Sequence, residues 1–177
     1  MKPGLCIWCV VALVASGAVV RAAESLRIVP IVHEGHVLVS VEVTGLDTEE
    51  VRETISSGLR TTFTYDVQLR MVVPVWVDRT IATAVIAVSD QYDNLTRRHT
   101  LSRTIDGRVE DTVVTEDEAT ARKWLTTLTR VPLCDTSKLD QNRDYYVRIS
   151  AQVRPQRGSL VGWSSAITGS VRFTFIP

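Results

Sequence analysis

The sequence predicts an α+β fold, built mainly from antiparallel β-strands in one sheet or a two-layer β-sandwich, with two amphipathic helices packed on one side or at one end. Three observations support it. Apolar and polar residues alternate with a period of two along most of the chain, which is typical of strands with one buried face. Only two segments change to the helical period of 3.6. Helices this scarce among hairpins do not form parallel βαβ units.

The strands begin with a predicted hairpin. Residues 26–32 and 36–43 flank a turn at Glu34-Gly35, and Pro30 marks the first strand as an edge or irregular strand because proline cannot donate a ladder hydrogen bond. Residues 81–88 are apolar on both faces, which indicates a central or helix-covered strand. The Asp106-Gly107 pair predicts a second tight hairpin. The other predicted strands are residues 62–73, 95–105, 109–114, 144–153 and 169–176.

The first predicted helix begins after Asp47, a good N-cap residue. Glu50 follows three positions later as in a capping box, and Leu46 can pack on Val51 as a hydrophobic staple. Gly58 provides a C-terminal stop. Its apolar stripe is predicted at Val51, Ile55 and Leu59.

The second predicted helix begins at residues 115–118, where acidic side chains complement the positive end of the helix dipole. Pro132 is predicted to end it. Its apolar stripe is predicted at Ala121, Trp124, Leu125 and Leu128.

The first 22 residues have the pattern of a secretory signal peptide. Lys2 precedes an apolar run, and compact residues stand at Val20 and Ala22, so we expect cleavage after Ala22; the alternative is an uncleaved N-terminal anchor. Residues 23–177 are then a single exported domain in the periplasm or cell envelope, tethered to the membrane if the signal is retained. Cys134 is the one cysteine of the mature chain, which excludes an intramolecular disulfide.

Charge gives no indication of a polyanionic partner. Of the 20 basic residues, two leave with the leader, so 18 face 20 acidic ones. This near-neutral balance argues against nucleic acid as a partner. No second apolar stretch is long enough for a transmembrane segment in the mature chain.

The nearest approach to a metal constellation is His33, Glu34 and His36. If Glu34-Gly35 is the turn, the two imidazoles form the closing cross-strand pair, and with the carboxylate they could hold Zn²⁺ with one open position for water. The alternative, which we prefer, is that all three are surface residues beside a turn.

A second candidate is an anion-binding cluster of Arg97, His99 and Arg103, which share one parity and would project from one strand face. Neighbouring acidic residues can neutralise the same groups. Trp163, in a Gly-Trp-Ser-Ser loop, is a candidate interaction residue, since aromatic side chains are enriched at binding hot spots. Cys134 is expected to be a small buried hydrophobe. We identify no catalytic residues and expect no cofactor.

Five strings resemble a family of exported bacterial proteins known as domain of unknown function 4390: SGLRTTFTY (57–65), WVDR (76–79), YDNLTRRHTLS (92–102), DYYVR (144–148) and FTFIP (173–177). The resemblance covers nearly all of the mature chain. One departure is His99, where the family pattern has an aromatic residue. The resemblance implies an envelope location and a single domain, and it supplies no catalytic residues.

Three functions are therefore considered. The first is a non-enzymatic protein-interaction or accessory module that binds an unknown envelope protein. The second is a small-molecule or lipid-binding module with a cavity between the sheet and the helices near Trp124. The third is a metal-dependent hydrolase at His33, Glu34 and His36. The oligomeric state is left open.

Overall fold

A computed structural model describes residues 25–155 and 166–176 of the chain. It contains two antiparallel sheets and two α-helices, which confirms the predicted α+β sandwich. The predicted signal peptide, Trp163 and its loop lie outside the described residues. The elements are β1 (Ser25–His33), β2 (His36–Thr44), α1 (Glu49–Ser56), β3 (Thr61–Met71), β4 (Arg79–Asp93), β5 (Arg98–Ile105), β6 (Arg108–Thr115), α2 (Glu118–Thr126), β7 (Thr127–Asp135), a 3₁₀ turn (Thr136–Lys138), β8 (Asp144–Pro155) and β9 (Ala166–Thr174).

The smaller sheet has the strand order β1-β2-β7, and the larger has the order β6-β5-β4-β3-β8-β9. Pro30 lies on β1, an edge strand, as predicted. Both predicted two-residue turns are confirmed. Glu34 and Gly35 have φ values of 47° and 76°, and Asp106 and Gly107 have 49° and 80°, as type I′ hairpins require.

One continuous core fills the space between the two sheets. Every second residue of β2, β3 and β8 is buried in it, because alternate side chains of a strand point to the same face. Leu125 of α2 and Leu128 of β7 belong to the same core. The strand residues are Val37, Val39, Val41 and Val43; Phe63, Tyr65, Val67 and Leu69; and Tyr145, Val147, Ile149, Ala151 and Val153.

Helix α1 forms where predicted, with a different cap. The Oγ1 atom of Thr48 accepts a hydrogen bond from the Val51 backbone N–H at 3.3 Å, whereas Asp47, the predicted cap, pairs with arginine side chains instead. Leu59 follows Gly58 (φ 83°) outside the helix and is partly exposed, so its place in the apolar stripe was wrong. Glycine at this left-handed position ends the helix before the third stripe residue.

Helix α2 is shorter than predicted. Asp117 caps it, accepting hydrogen bonds from the Ala119 and Thr120 backbone N–H groups, and the helix ends at Thr126. Leu128 and Pro132 lie on β7 instead. β-Branched residues favour the strand here, and because β7 is an edge strand, Pro132 is tolerated.

Among the described residues, no helix is long and apolar enough to cross a membrane.

Candidate functional site

Residues 72–78, the connection between β3 and β4, are named the tip loop. Three successive apolar residues point into solvent from it: Val75 is fully exposed, Trp76 is 80% exposed and Val77 is 73% exposed. An exposed cluster of this kind departs from the burial expected of Trp and Val, and contiguous exposed apolar residues mark interaction sites.

The tip loop contains a strained turn. The Trp76 backbone N–H donates to the Val73 carbonyl oxygen at 3.2 Å, which places Pro74 and Val75 at the central positions of a β-turn. Val75 has φ 64°, the left-handed conformation that the third residue of a type II turn needs. Glycine or asparagine usually occupies that position, because a β-branched residue there is destabilised by about 1–2 kcal/mol. The chain therefore retains an apolar side chain at a position where conformation alone favours another residue.

Asp78 holds the tip loop in place. Its Oδ1 accepts from the Val73 backbone N–H at 3.3 Å, and its Oδ2 accepts from the Tyr146 hydroxyl at 2.9 Å. Arg70 donates to the Asp78 carbonyl oxygen at 3.0 Å and lies over the Tyr146 ring, with Cζ 5.9 Å from the centroid. Desolvation, and then the hydrogen bond to Asp78, raise the pKa of Tyr146. These bonds fix the loop against β3 and β8.

A second site lies between the two helices and is named the helix groove. It is a cavity of about 450 Å³ between α1 and α2, with Asp90 and Tyr92 of β4 and His99 of β5 among its lining residues. This volume is within the range of small-molecule sites. The sequence analysis placed a possible cavity near Trp124. Trp124 does not line the groove, although the adjacent Leu125 does.

Asp90 and His99 form a buried pair in the helix groove. Asp90 is 1% exposed and His99 6%, and Oδ2 of Asp90 lies 2.8 Å from Nδ1 of His99. Desolvation raises the pKa of Asp90, and the interaction with His99 opposes that rise. The Tyr92 ring packs on the imidazole with centroids 4.7 Å apart. Asp90 Oδ1 is buried and has no hydrogen-bond partner among the described residues.

Charged side chains surround the groove. Asp47 contacts arginines of both helices: its Oδ2 is 2.9 Å from Arg122 Nε, and its Oδ1 is 3.7 Å from Arg52 Nε. Arg52 also pairs with Glu49 at 3.0 Å and Arg122 with Glu118 at 2.9 Å. Asp47 thus links α1 to α2, which explains why it does not cap its own helix. The acidic lining residues are Asp47, Glu49, Glu53, Asp90, Glu116 and Glu118.

The predicted anion ligands occupy three different surroundings. Arg97 is exposed in the turn before β5 and has a φ of 56°. Asp93 Oδ1 stabilises this turn by accepting hydrogen bonds from two backbone N–H groups. His99 is buried against Asp90. Arg103 lies over the Trp124 ring. Of the three, only His99 lines the helix groove.

The predicted metal residues are adjacent but are not assembled into a metal site. His33 and His36 are the closing cross-strand pair as expected. His33 Nε2 lies 3.4 Å from a carboxylate oxygen of Glu34, whereas His36 Nδ1 lies 3.1 Å from Asp135. Across residues 25–155 and 166–176, no three His, Cys, Asp or Glu side chains are grouped so that they could hold a metal ion.

Sequence reasoning missed the tip loop and the Asp90–His99 pair. A signal existed for each. The apolar run Val75-Trp76-Val77 directly follows a turn-forming proline, and Asp90 continues the inward parity of Ile86 and Val88, so a carboxylate interrupts a buried face. Cys134, expected to be buried, is partly buried, and desolvation raises the pKa of its thiol.

Comparison with known proteins identifies the family of the chain. No curated protein and no solved structure matches the chain. The model of one family, described as a domain of unknown function (DUF4390), matches residues 21–160, which include the tip loop and both helices. The chain therefore belongs to the DUF4390 family.

Proposed function

We propose that the chain is a non-enzymatic, exported protein-interaction module of the cell envelope, and that the tip loop is its contact with a partner protein. The observation that carries the proposal is the exposure of Val75, Trp76 and Val77 on a loop held by Asp78. Tryptophan is strongly enriched among residues that dominate binding energy. An exposed apolar loop of this kind can insert into an apolar pocket on another protein.

The hydrogen bonds made by Asp78 support this assignment. Association loses free energy when loops and side chains must be ordered, and a loop already held in its bound conformation avoids much of that loss. The strain at Val75 points the same way, because strained backbone is concentrated at functional sites.

Export is part of the same proposal. It rests on the apolar N-terminal segment and the compact residues at Val20 and Ala22. N-terminal sequencing of the protein isolated from its own cells tests it: a chain that begins at residue 23 supports cleavage and export. A chain that begins at Met1 in the cytoplasmic fraction would contradict both.

Photo-crosslinking in intact cells tests the contact. Trp76 is replaced by the photoreactive residue p-benzoylphenylalanine, and adducts are identified by mass spectrometry. Leu95, a large apolar residue that is 95% exposed on the turn between β4 and β5, is the matched control position. We expect one envelope protein to be crosslinked from position 76 and not from position 95. The purified partner should bind Trp76→Ala at least about tenfold more weakly, while the free energy of unfolding is unchanged.

Two results would overturn the proposal. One is equal crosslinking from both positions. The other is binding of the purified protein to protein-free lipid vesicles that depends on Trp76, because the tip would then be a membrane contact.

A further inference from the structure

We propose that the helix groove is a binding site for a small aliphatic diamine or polyamine, with one ammonium group at Asp90 and the other at the acidic rim. This site is separate from the tip loop and does not depend on the proposed partner. Three features of the groove carry it: an unsatisfied buried acceptor, an excess of negative charge and several apolar lining residues.

The unsatisfied acceptor is Asp90 Oδ1. A buried carboxylate oxygen without a donor is costly, because it has lost its hydration without a replacement hydrogen bond. His99 satisfies only Oδ2. Oδ1 of Asp90 can only accept when the carboxyl group is ionised, so the complementary ligand group is a donor such as an ammonium.

The charged side chains that line the groove favour the same class of ligand. Six carboxylates and two guanidinium groups line the groove, and Arg98, outside the lining, pairs with the lining residue Glu116 at 2.9 Å. Without His99, the formal excess is three negative charges. Both guanidinium groups are already paired, Arg52 with Asp47 and Glu49 and Arg122 with Asp47 and Glu118. Glu53 at the rim has no ion pair within the part of the chain that the structure describes. An anionic ligand would be repelled here, whereas a cation finds free carboxylate oxygens.

The groove also has apolar lining residues. Ile55 of α1 and Ala121 and Leu125 of α2 line the cavity, and each is buried against the core. A methylene chain would pack against these side chains, as in most small-molecule sites, where apolar walls carry a few placed polar groups. A hydrated inorganic cation would gain nothing from them.

Titration calorimetry of the purified protein with 1,5-diaminopentane tests the proposal. Neutral 1,5-pentanediol and anionic glutarate have the same chain length and are the matched controls. We expect saturable one-to-one binding of the diamine alone. Asp90→Asn should weaken it at least about tenfold, since it removes a charge-assisted hydrogen bond. Glu53→Gln, on the exposed face of α1, should weaken it about two- to threefold without affecting folding.

Glu110→Gln, on the exposed strand β6 away from the groove, should leave affinity unchanged. The proposal is overturned if pentanediol binds as well as the diamine, or if the diamine shows no saturation. It is also overturned if Glu110→Gln weakens binding as much as Glu53→Gln, because diffuse surface charge would then account for the effect. Should Asp90→Asn not fold, as judged by circular dichroism, the comparison of Glu53→Gln with Glu110→Gln decides.

Discussion

The guanidinium group of Arg103 lies directly over the indole of Trp124, with Cζ 4.3 Å from the ring centroid. Arg103 belongs to β5 and Trp124 to α2, so this cation–π contact attaches the helix to the larger sheet. One residue further along α2, the Leu125 carbonyl oxygen accepts a 2.6 Å hydrogen bond from the Tyr65 hydroxyl of β3. These contacts set the position of the helix that forms one wall of the helix groove.

Replacement of Arg103 by Gln removes the cation and should lower the free energy of unfolding by about 1 kcal/mol, because the contact is partly buried. Urea denaturation measures this change. The maximum of tryptophan fluorescence emission in the folded state should also shift, because the surroundings of Trp124 change. Arg108→Gln, at the exposed start of β6, is the control and should change neither quantity. Equal stability of the two variants would show that the stacked geometry contributes nothing to stability.

Removal of the Tyr65 hydroxyl should destabilise the protein by about 1–2 kcal/mol, since Tyr65→Phe leaves the Leu125 carbonyl oxygen buried without this donor. Tyr92→Phe is the matched control, because the Tyr92 hydroxyl has no hydrogen bond within the described ranges. Thermal or urea unfolding distinguishes the two. The interpretation fails if Tyr92→Phe is as destabilising as Tyr65→Phe.

The raised pKa of Asp90 predicts a specific pH dependence of stability. A carboxyl group whose folded-state pKa exceeds its unfolded value binds protons more tightly in the folded state, so its favourable contribution is complete below the unfolded value of 3.8 and is lost as pH rises through the folded pKa. Wild-type stability minus that of Asp90→Asn should therefore fall as pH increases through this window. The titrations of the other carboxylates cancel in the difference.

Asp117 provides a control of opposite sign. Hydrogen bonds, chiefly with Thr120, lower the pKa of Asp117, so its contribution is present above 3.8 and is lost as pH falls through the folded pKa. Wild-type stability minus that of Asp117→Asn should consequently rise with pH. Parallel slopes for the two differences would contradict the burial of Asp90 as the cause of its shift.

Local periodicity was enough to predict the hairpins, the long inward-facing runs of β2, β3 and β8, and the sites of both helices. It failed at Leu128, which fits the helical stripe of α2 by spacing. Leu128 lies in β7 instead, where it pairs with Val41 of β2, a residue distant in the chain. Local periodicity also could not place Asp90 beside His99. That contact depends on strand register, and register depends on where the β4–β5 connection ends; the strand begins at Arg98, not at residue 95.

The exposure of the tip loop could not be predicted from sequence for a related reason. A Val-Trp-Val run indicates burial by composition alone, and only the turn geometry at Pro74, together with the hydrogen bonds of Asp78, turns it towards solvent. Burial on one strand face follows from sequence parity, whereas the exposure of a connection depends on residues such as Tyr146 that are distant in the chain.

Strain at Val75 leads to the last prediction. Because asparagine tolerates the left-handed conformation that valine resists, Val75→Asn should raise the free energy of unfolding by about 1 kcal/mol. Val77→Asn is the matched control: Val77 is also exposed, and its φ is not positive, so the same substitution should leave stability nearly unchanged. Urea denaturation of both variants measures the difference. The photo-crosslink from position 76 should weaken in both, since each removes an apolar side chain from the proposed contact. A chain stabilised by Val75→Asn but less able to bind would show that stability is given up at this turn for recognition, whereas no gain over Val77→Asn would mean that the turn stores no strain.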